Sequence, residues 1–439
     1  MKKGVNDAFD LTVADCRKTI AARNDELRAV LRVLDEPSLD RDAQANGPLA
    51  GVPYVLKDTW DTAGIVTTGG SLRHRDRIPT VSSKPYLALA HAGAVLLGKS
   101  NLSDLAFSIE SDNHLFGPVR NPWDRTRTAG GSTGGGSCAV ATGMAAFEWG
   151  TDFGGSLRLP AAFCGVVGLR LAAKTWPVER EHFPRIAPSF WSFCGQGPVT
   201  KSVQHARIVM RALAPALRTA DPRPAIDSAR VALYAPDRAH EGAWPTFARD
   251  VGELLARAGV LADVEHGLPP PSHVNDTFDG YLASHFRDLA SSEEMSILTG
   301  LSAVGLGLAS RGRLDKRIHP NTATLFLLAA IGKVTIFPRR APRAKRLEAL
   351  RADAARLFDG GPLLVTPTTT ELPPKHGRAA FALRVATFCK LGNAIDAVGI
   401  AIPFGRFPGT SLPRSIQILG PAGSEEAVLD MAEKLSAAA

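Results

Sequence analysis

Three observations predict an α/β protein. Apolar runs of strand length alternate with small-residue stretches that suit helices. One of these runs, residues 51–58 (Gly-Val-Pro-Tyr-Val-Leu-Lys-Asp), stops abruptly in charge. Two glycine-rich loops, residues 130–136 and 153–156, fall where strand-like and helix-like sequence meet.

Taken in order, residues 8–36 place Leu11, Ala14, Ile20, Leu27, Val30, Leu31 and Leu34 at helical spacing and predict an amphipathic N-terminal segment. A polar linker follows over residues 37–46. Residues 51–58 read as a strand that delivers Lys57 at its end. A helix is expected over 84–92 and a short buried strand over 94–97. The loop at 130–136 opens onto 137–146, small and helix-compatible. Residues 147–152 read as a strand and 153–156 as a turn, with Pro160 in the first turn of another helix. From about 207 to 360 the character changes to helical stretches and a proline cluster at 269–271, with no further glycine-rich loop. Late strands are expected at 363–365 and 415–419, and a closing helix after Ser424.

Composition narrows the function classes. The 439 residues are 45% hydrophobic and 21% charged, enough apolar material for a large core and too little charge for disorder. Aromatic residues, at 7%, do not favour a base-stacking surface. The net charge of +8 is dispersed, and its densest run, residues 339–351, reads as the polar face of a helix: Lys345, Arg346, Glu348 and Arg351 against Leu347, Leu350 and Leu357. Five scattered cysteines (16, 138, 164, 194, 389) argue against a disulfide framework or a zinc site and fit a reducing compartment. Residues 1–15 lack the apolar run of a signal peptide, and the apolar stretch at 322–334 is shorter than the ~20 residues of a membrane span. A cytoplasmic protein is expected.

The chemistry concentrates in the two loops. Glycines at this density let backbone N–H groups point into a cavity, and a serine ending Asp152-Phe-Gly-Gly-Ser156 has a row of amides beside it. That arrangement holds an oxyanion next to a nucleophile, although tight turns packing helices on a sheet use the same glycines. Other motifs fare worse. Residues 93–100 match a P-loop expression, yet residues 94–97 inside it are apolar and strand-like. Gly154-Gly-Ser-Leu-Arg158 lacks the second glycine of a nucleophile elbow. His91, His114 and His182 sit in no motif and read as structural or surface residues.

The ordered set of motifs resembles the amidase signature family. Gly130-Gly-Ser-Thr-Gly-Gly is similar to its G-G-S-S-G-G loop, and Gly150-Thr-Asp-Phe-Gly-Gly-Ser-Leu-Arg-Leu-Pro-Ala161 to its G-T-D-x-G-G-S-I-R-x-P-A run. Residues 51–58 match its lysine segment, and residues 98–106, 121–124 and 163–170 match further motifs. The likeness is strong over 48–200 and weaker but in order from 365 to 420. It implies one domain over residues 1–439, built on a large twisted mixed sheet flanked by helices on both faces. Within it, 48–200 is the catalytic core, and a variable region at about 270–345 forms the substrate entrance.

The roles it implies are Ser156 as nucleophile, Ser132 in a cis peptide as relay and Lys57 as neutral base. The amides of Phe153, Gly154, Gly155 and Ser156 form the oxyanion hole, with Thr133, Asp152 and Arg158 in support. Arg158 pairs Asp152 or binds a substrate carboxylate. A working Lys57 must be buried against Ser132, with Asp58 turned to the opposite face of its strand. The implied reaction is hydrolysis of a carboxylic amide through an acyl-enzyme, without metal or organic cofactor. The expected partner is a small-molecule amide, with neither nucleic acid nor membrane, and with room for a homodimer. Phe190, Trp191 and Phe193 either line an aryl pocket or belong to the core.

Two departures stand out: Thr133 replaces the loop's second serine, and residues 171–176 lack the family's usual Pro-Thr-x-Gly-x-Val-Ser. The first alternative is the glutaminase (A) subunit of a tRNA-dependent glutamyl/aspartyl amidotransferase, favoured by the basic charge and disfavoured by the short chain and the altered 171–176 stretch. The second is a catalytically silent binding relative, against which all three triad positions stand.

Overall fold

The computed structural model describes residues 9–35, 46–178, 183–219, 224–265, 267–285, 319–320, 341–379 and 382–439. Eleven strands of these residues form one mixed sheet. They are β1 Val30–Leu31, β2 Pro53–Lys57, β3 Val95–Ser100, β4 Phe147–Asp152, β5 Val167–Arg170, β6 Gly195–Thr200, β7 Asp227–Leu233, β8 Leu261–Val264, β9 Pro362–Pro367, β10 Val398–Arg406 and β11 Pro413–Gly420. The order across the sheet is β1-β3-β2-β4-β6-β5-β10-β11-β9-β7-β8. The β3-β2-β4 and β9-β7-β8 segments are parallel, and the strands between them run antiparallel.

The helices are α1 Val13–Leu27, α2 Lys84–His91, α3 Gly134–Thr142, α4 Arg158–Cys164, α5 Val203–Leu217, α6 Phe247–Arg257, α7 Pro271–Ser284, α8 Ala341–Phe358, α9 Thr387–Ala394 and α10 Glu425–Ala438. Alternation along the strands sorts them into two layers. Tyr54, Leu56, Phe147 and Trp149 point to the face covered by α2, α5, α6 and α10, through Leu89, Leu213, Leu254 and Leu435. Val55, Val95 and Leu97 point the other way, into a core with Cys16 and Ile20 of α1, Ala139 of α3 and Ala161 of α4. Farther along that second face, Ala232, Leu364 and Leu419 meet Phe278 of α7, Leu350 of α8 and Leu391 of α9. The α/β expectation and the flanked mixed sheet are both observed.

The N-terminal segment differs from its sequence reading. A Thr12–Asp15 capping box starts α1, but Arg28 adopts a left-handed φ of 56° and ends it. Val30 and Leu31 then leave the helix and pair with Ser100 and Lys99 as an edge strand. The 207–360 region also holds two strands that were not foreseen. β8 is exposed along its length and only the last three residues of β7 are buried, so neither carries the apolar run that marks a strand. From Ala341 on, the basic run lies on a helix, α8, with Leu347 and Leu350 buried, although Arg351 is half-buried and donates to the Ala394 carbonyl. Residues 322–334 and His182 lie outside the described residues, as does most of the expected entrance region. Among the described residues no helix is long and apolar enough to cross a membrane.

Candidate active site

The site forms where β2, β4 and the start of α3 converge. β2 ends at Lys57, whose side chain is fully buried. Its Nζ donates to Ser132 Oγ at 2.8 Å and reaches both the carbonyl and Oγ1 of Thr151 at 3.2 Å. Burial pushes the Lys57 pKa down to about 8, against the pull of Glu148, Cys194 and Asp152, which favour the charged form. Asp58 does face away: it accepts from the Thr68 amide and hydroxyl and lies 3.7 Å from buried Lys99. Lys99 itself also bonds the Trp60 carbonyl, so the P-loop-like lysine is committed inside the core.

Ser132 follows a cis Gly131–Ser132 peptide. Its loop is pinned by Ser111, whose Oγ donates to the Ser132 carbonyl at 3.1 Å and accepts from the Gly134 amide at 2.8 Å. The two glycine loops are tied directly, the Thr133 amide donating to the Ser156 carbonyl at 3.2 Å. Thr133 Oγ1 is buried with no hydrogen-bond partner, so its amide, not its hydroxyl, supports the site.

Asp152 closes the second loop on itself. Its carboxylate accepts from the amides of Gly155, Leu157 and Arg158 and from the Arg158 side chain. Burial alone would raise the pKa of this carboxyl, but the Arg158 guanidinium beside it holds it well below the usual carboxylate range. Arg158 is fully buried and also donates to Gln417, Asn393 and the Cys389 carbonyl. All of its hydrogen-bonding reach is spent inside the protein, so it is not placed to bind a substrate carboxylate. Gly155 corrects the expected oxyanion hole in the same way. Its N–H is taken by Asp152 Oδ1 at 2.8 Å, leaving the amides of Phe153, Gly154 and Ser156 as candidates.

Ser132 and Ser156 line one cleft of about 600 Å³ together with Thr151, Phe153, Cys194 and Ile186. Leu105 and Ala106, also in its wall, hold left-handed φ values of 53° and 57°, a strain that non-glycine residues accept mostly at functional sites. Phe190 and Phe193 are fully buried against the Phe153 ring and belong to the core, whereas Trp191 is exposed. Thr151, Ser111 and Asn393 had no assigned role in the sequence reading. Thr151 lies inside a quoted motif, but nothing in sequence ties Ser111 or Asn393 to loops so distant along the chain.

A buried lysine bonded to one serine, with a second serine beside an amide-rich turn in the same cleft, is the arrangement a Ser-Ser-Lys hydrolase requires. Comparison with known proteins gives the family: residues 12–429 match the Amidase family model, and the chain belongs to that family. It is 31% identical over 425 residues to the A subunit of glutamyl-tRNA(Gln) amidotransferase from Moorella thermoacetica (strain ATCC 39073 / JCM 9320), covering 88% of this chain and 82% of that one. The solved A subunit of the Thermotoga maritima glutamyl-tRNA(Gln) amidotransferase superposes with a TM-score of 0.75 at 23% identity, over 97% of this chain and 94% of that one. A 6-aminohexanoate cyclic dimer hydrolase does so with a TM-score of 0.74 at 22% identity, over 97% and 92%. At these identities the two structures speak for the fold.

Proposed function

We propose that the chain cleaves a carboxylic amide C–N bond through an acyl-enzyme on Ser156. The observation that carries this reading is the 2.8 Å bond from buried Lys57 to Ser132, in the wall of the cleft that also holds Ser156. Ser156 Oγ attacks the carbonyl carbon while its proton passes to Ser132 and that of Ser132 to the neutral Lys57 amine. The amides of Phe153, Gly154 and Ser156 hold the oxyanion. As the C–N bond breaks, the proton returns through Ser132 to the leaving nitrogen. Water then attacks the acyl ester by the same relay.

Between the finer readings, the named relatives favour the amidotransferase A subunit over the free-standing amide hydrolase put first from sequence. Their match extends across most of both chains. In that role the amide is the side chain of glutamine, and the ammonia goes to a glutamyl-tRNA held by partner subunits. That role conflicts with the expectation of no nucleic-acid partner. One observation supports the free-standing hydrolase: the cleft wall is mainly apolar, with Leu105, Phe107, Phe153, Ile186 and Ala187, which suits an apolar acyl group. The five cysteines, all unpaired and buried, support a cytoplasmic setting.

Ammonia release by the purified chain decides between them, measured on glutamine and on a panel of aliphatic and aryl amides. Glutamine turnover that needs co-expressed partner subunits and tRNA supports the A-subunit reading. Turnover of apolar amides by the chain alone supports the free-standing hydrolase. No amide cleavage in either arrangement contradicts the acyl-enzyme proposal.

A further inference from the structure

One buried acid beside the triad has no part in the relay. On β4, Phe147 and Trp149 face the α2/α5 side of the sheet, so Glu148 between them faces the other side. Its register partner on β2 is Val55, which lies in the core of that second face. Lys57, two residues beyond Val55, shares that face and pairs with Ser100 across β3. The Ser100 hydroxyl donates to Glu148 Oε1, so the register partner of Lys57 also bonds the acid. Above them runs the first turn of α3. A Cβ added at Gly136 would lie 1.3 Å from Glu148 Oε2, so only glycine lets the helix cross this carboxyl. The slot is a built one. Glu148 is wholly buried, and its Oε2 has no hydrogen-bond partner. A buried carboxyl with an unsatisfied oxygen is costly to keep without a use.

We propose that Glu148 is a positioning residue for the proton relay, a buried countercharge that sets the pH at which Lys57 can act as base. This rests on the Lys57 role in the proposed function. The Lys57 amine bonds only neutral groups among the contacts above, Ser132 and Thr151. An ammonium formed there during acylation needs a compensating charge. The other charged groups on this face are already committed: Asp152 pairs with Arg158 and also feels Arg170, from β5. Burial pushes the Cys194 thiol, at the head of β6, up to about 12, so it stays neutral. Asp58 and Lys99, on the opposite face, pair with each other. Burial raises the Glu148 pKa as it lowers that of Lys57, drawing the two into one range where each governs the other's proton. No proton passes through Glu148. Its charge acts on Lys57 from beside it.

The test is the pH dependence of Ser156 labelling by an alkyl fluorophosphonate, which needs no knowledge of the natural substrate. Glu148→Gln keeps the shape and removes the charge, leaving desolvation alone to act on Lys57. The labelling midpoint should then move to lower pH by about one unit, the usual size of such perturbations. Ser100→Ala removes the bond that favours the Glu148 carboxylate and should move the midpoint in the same direction. If Glu148→Gln does not fold, as judged by its thermal melt, Ser100→Ala decides. Wild-type protein that takes no label at Ser156 overturns the proposed function and this inference with it. A labelled wild type whose midpoint is unmoved or raised in the deciding variant overturns the inference alone.

Discussion

Arg158 Nε lies 3.0 Å from Asp152 Oδ2 with both side chains shut away from solvent, six residues apart on either side of the turn that carries Ser156. The pair fixes the turn because Asp152 also gathers the Gly155, Leu157 and Arg158 amides. Arg158→Ala leaves that carboxylate buried and uncompensated, which costs about 3–5 kcal/mol for a broken buried pair. Denaturant unfolding should show this loss. Arg158→Lys should recover little of it, since the contacts to Gln417, Asn393 and the Cys389 carbonyl need the guanidinium fork.

Gly155 is the glycine of the turn that conformation demands. Its φ is 114°, and a Cβ there would lie 2.6 Å from Cys389 Cβ. Gly155→Ala should cost about 1–3 kcal/mol of stability from backbone strain. The displaced turn should slow fluorophosphonate labelling by on the order of 100-fold, the penalty of misplacing a reacting group by about 1 Å. Labelling at the wild-type rate would show that the turn's geometry is not critical.

Ser111 braces the loop of the proposed relay serine without touching the cleft serines' hydroxyls, bridging the Ser132 carbonyl and the Gly134 amide. Ser111→Ala should cost about 1 kcal/mol in thermal or chemical unfolding. It should lower kcat with KM nearly unchanged, because the relay is loosened and the binding walls are not. A change confined to KM would contradict that assignment.

The catalytic half of this fold was legible from sequence because its strands are short apolar runs ending in functional residues. β4 was read at its observed bounds, 147–152, and β2 was read as ending at Lys57. α3 begins three residues earlier than read, at Gly134, since burial against the sheet outweighs the poor helix propensity of three glycines. The reading of the N-terminus failed on one residue, Arg28, whose left-handed turn no periodicity reveals. Gly155 was assigned to the oxyanion hole by the family resemblance, which carries over an amide but not the Asp152 carboxylate that takes it here. Asn393, 241 residues beyond Asp152, bonds its carbonyl and carboxylate at 2.9 Å, a contact that exists only after the sheet has formed.

The base predicts a pH profile with a definite sign. In its proposed role Lys57 works only as the neutral amine, and burial pushes its pKa down to about 8. Acylation should be slow at acid pH, rise through this ionisation and level off above it. Lys57→Ala should remove the rise and most of the rate. Lys57→Arg should not restore activity, because arginine does not give up its proton. Substantial activity in Lys57→Arg would exclude this residue as the base.

The most direct measurement of the whole account is to locate the covalent adduct. Wild-type protein treated with an alkyl fluorophosphonate, digested and mapped by mass spectrometry should carry one label, on Ser156. Ser156→Ala should carry none, and Ser132→Ala should label at Ser156 much more slowly. A label on Ser132, or on a serine outside the two glycine loops, would contradict the Ser156 acyl-enzyme.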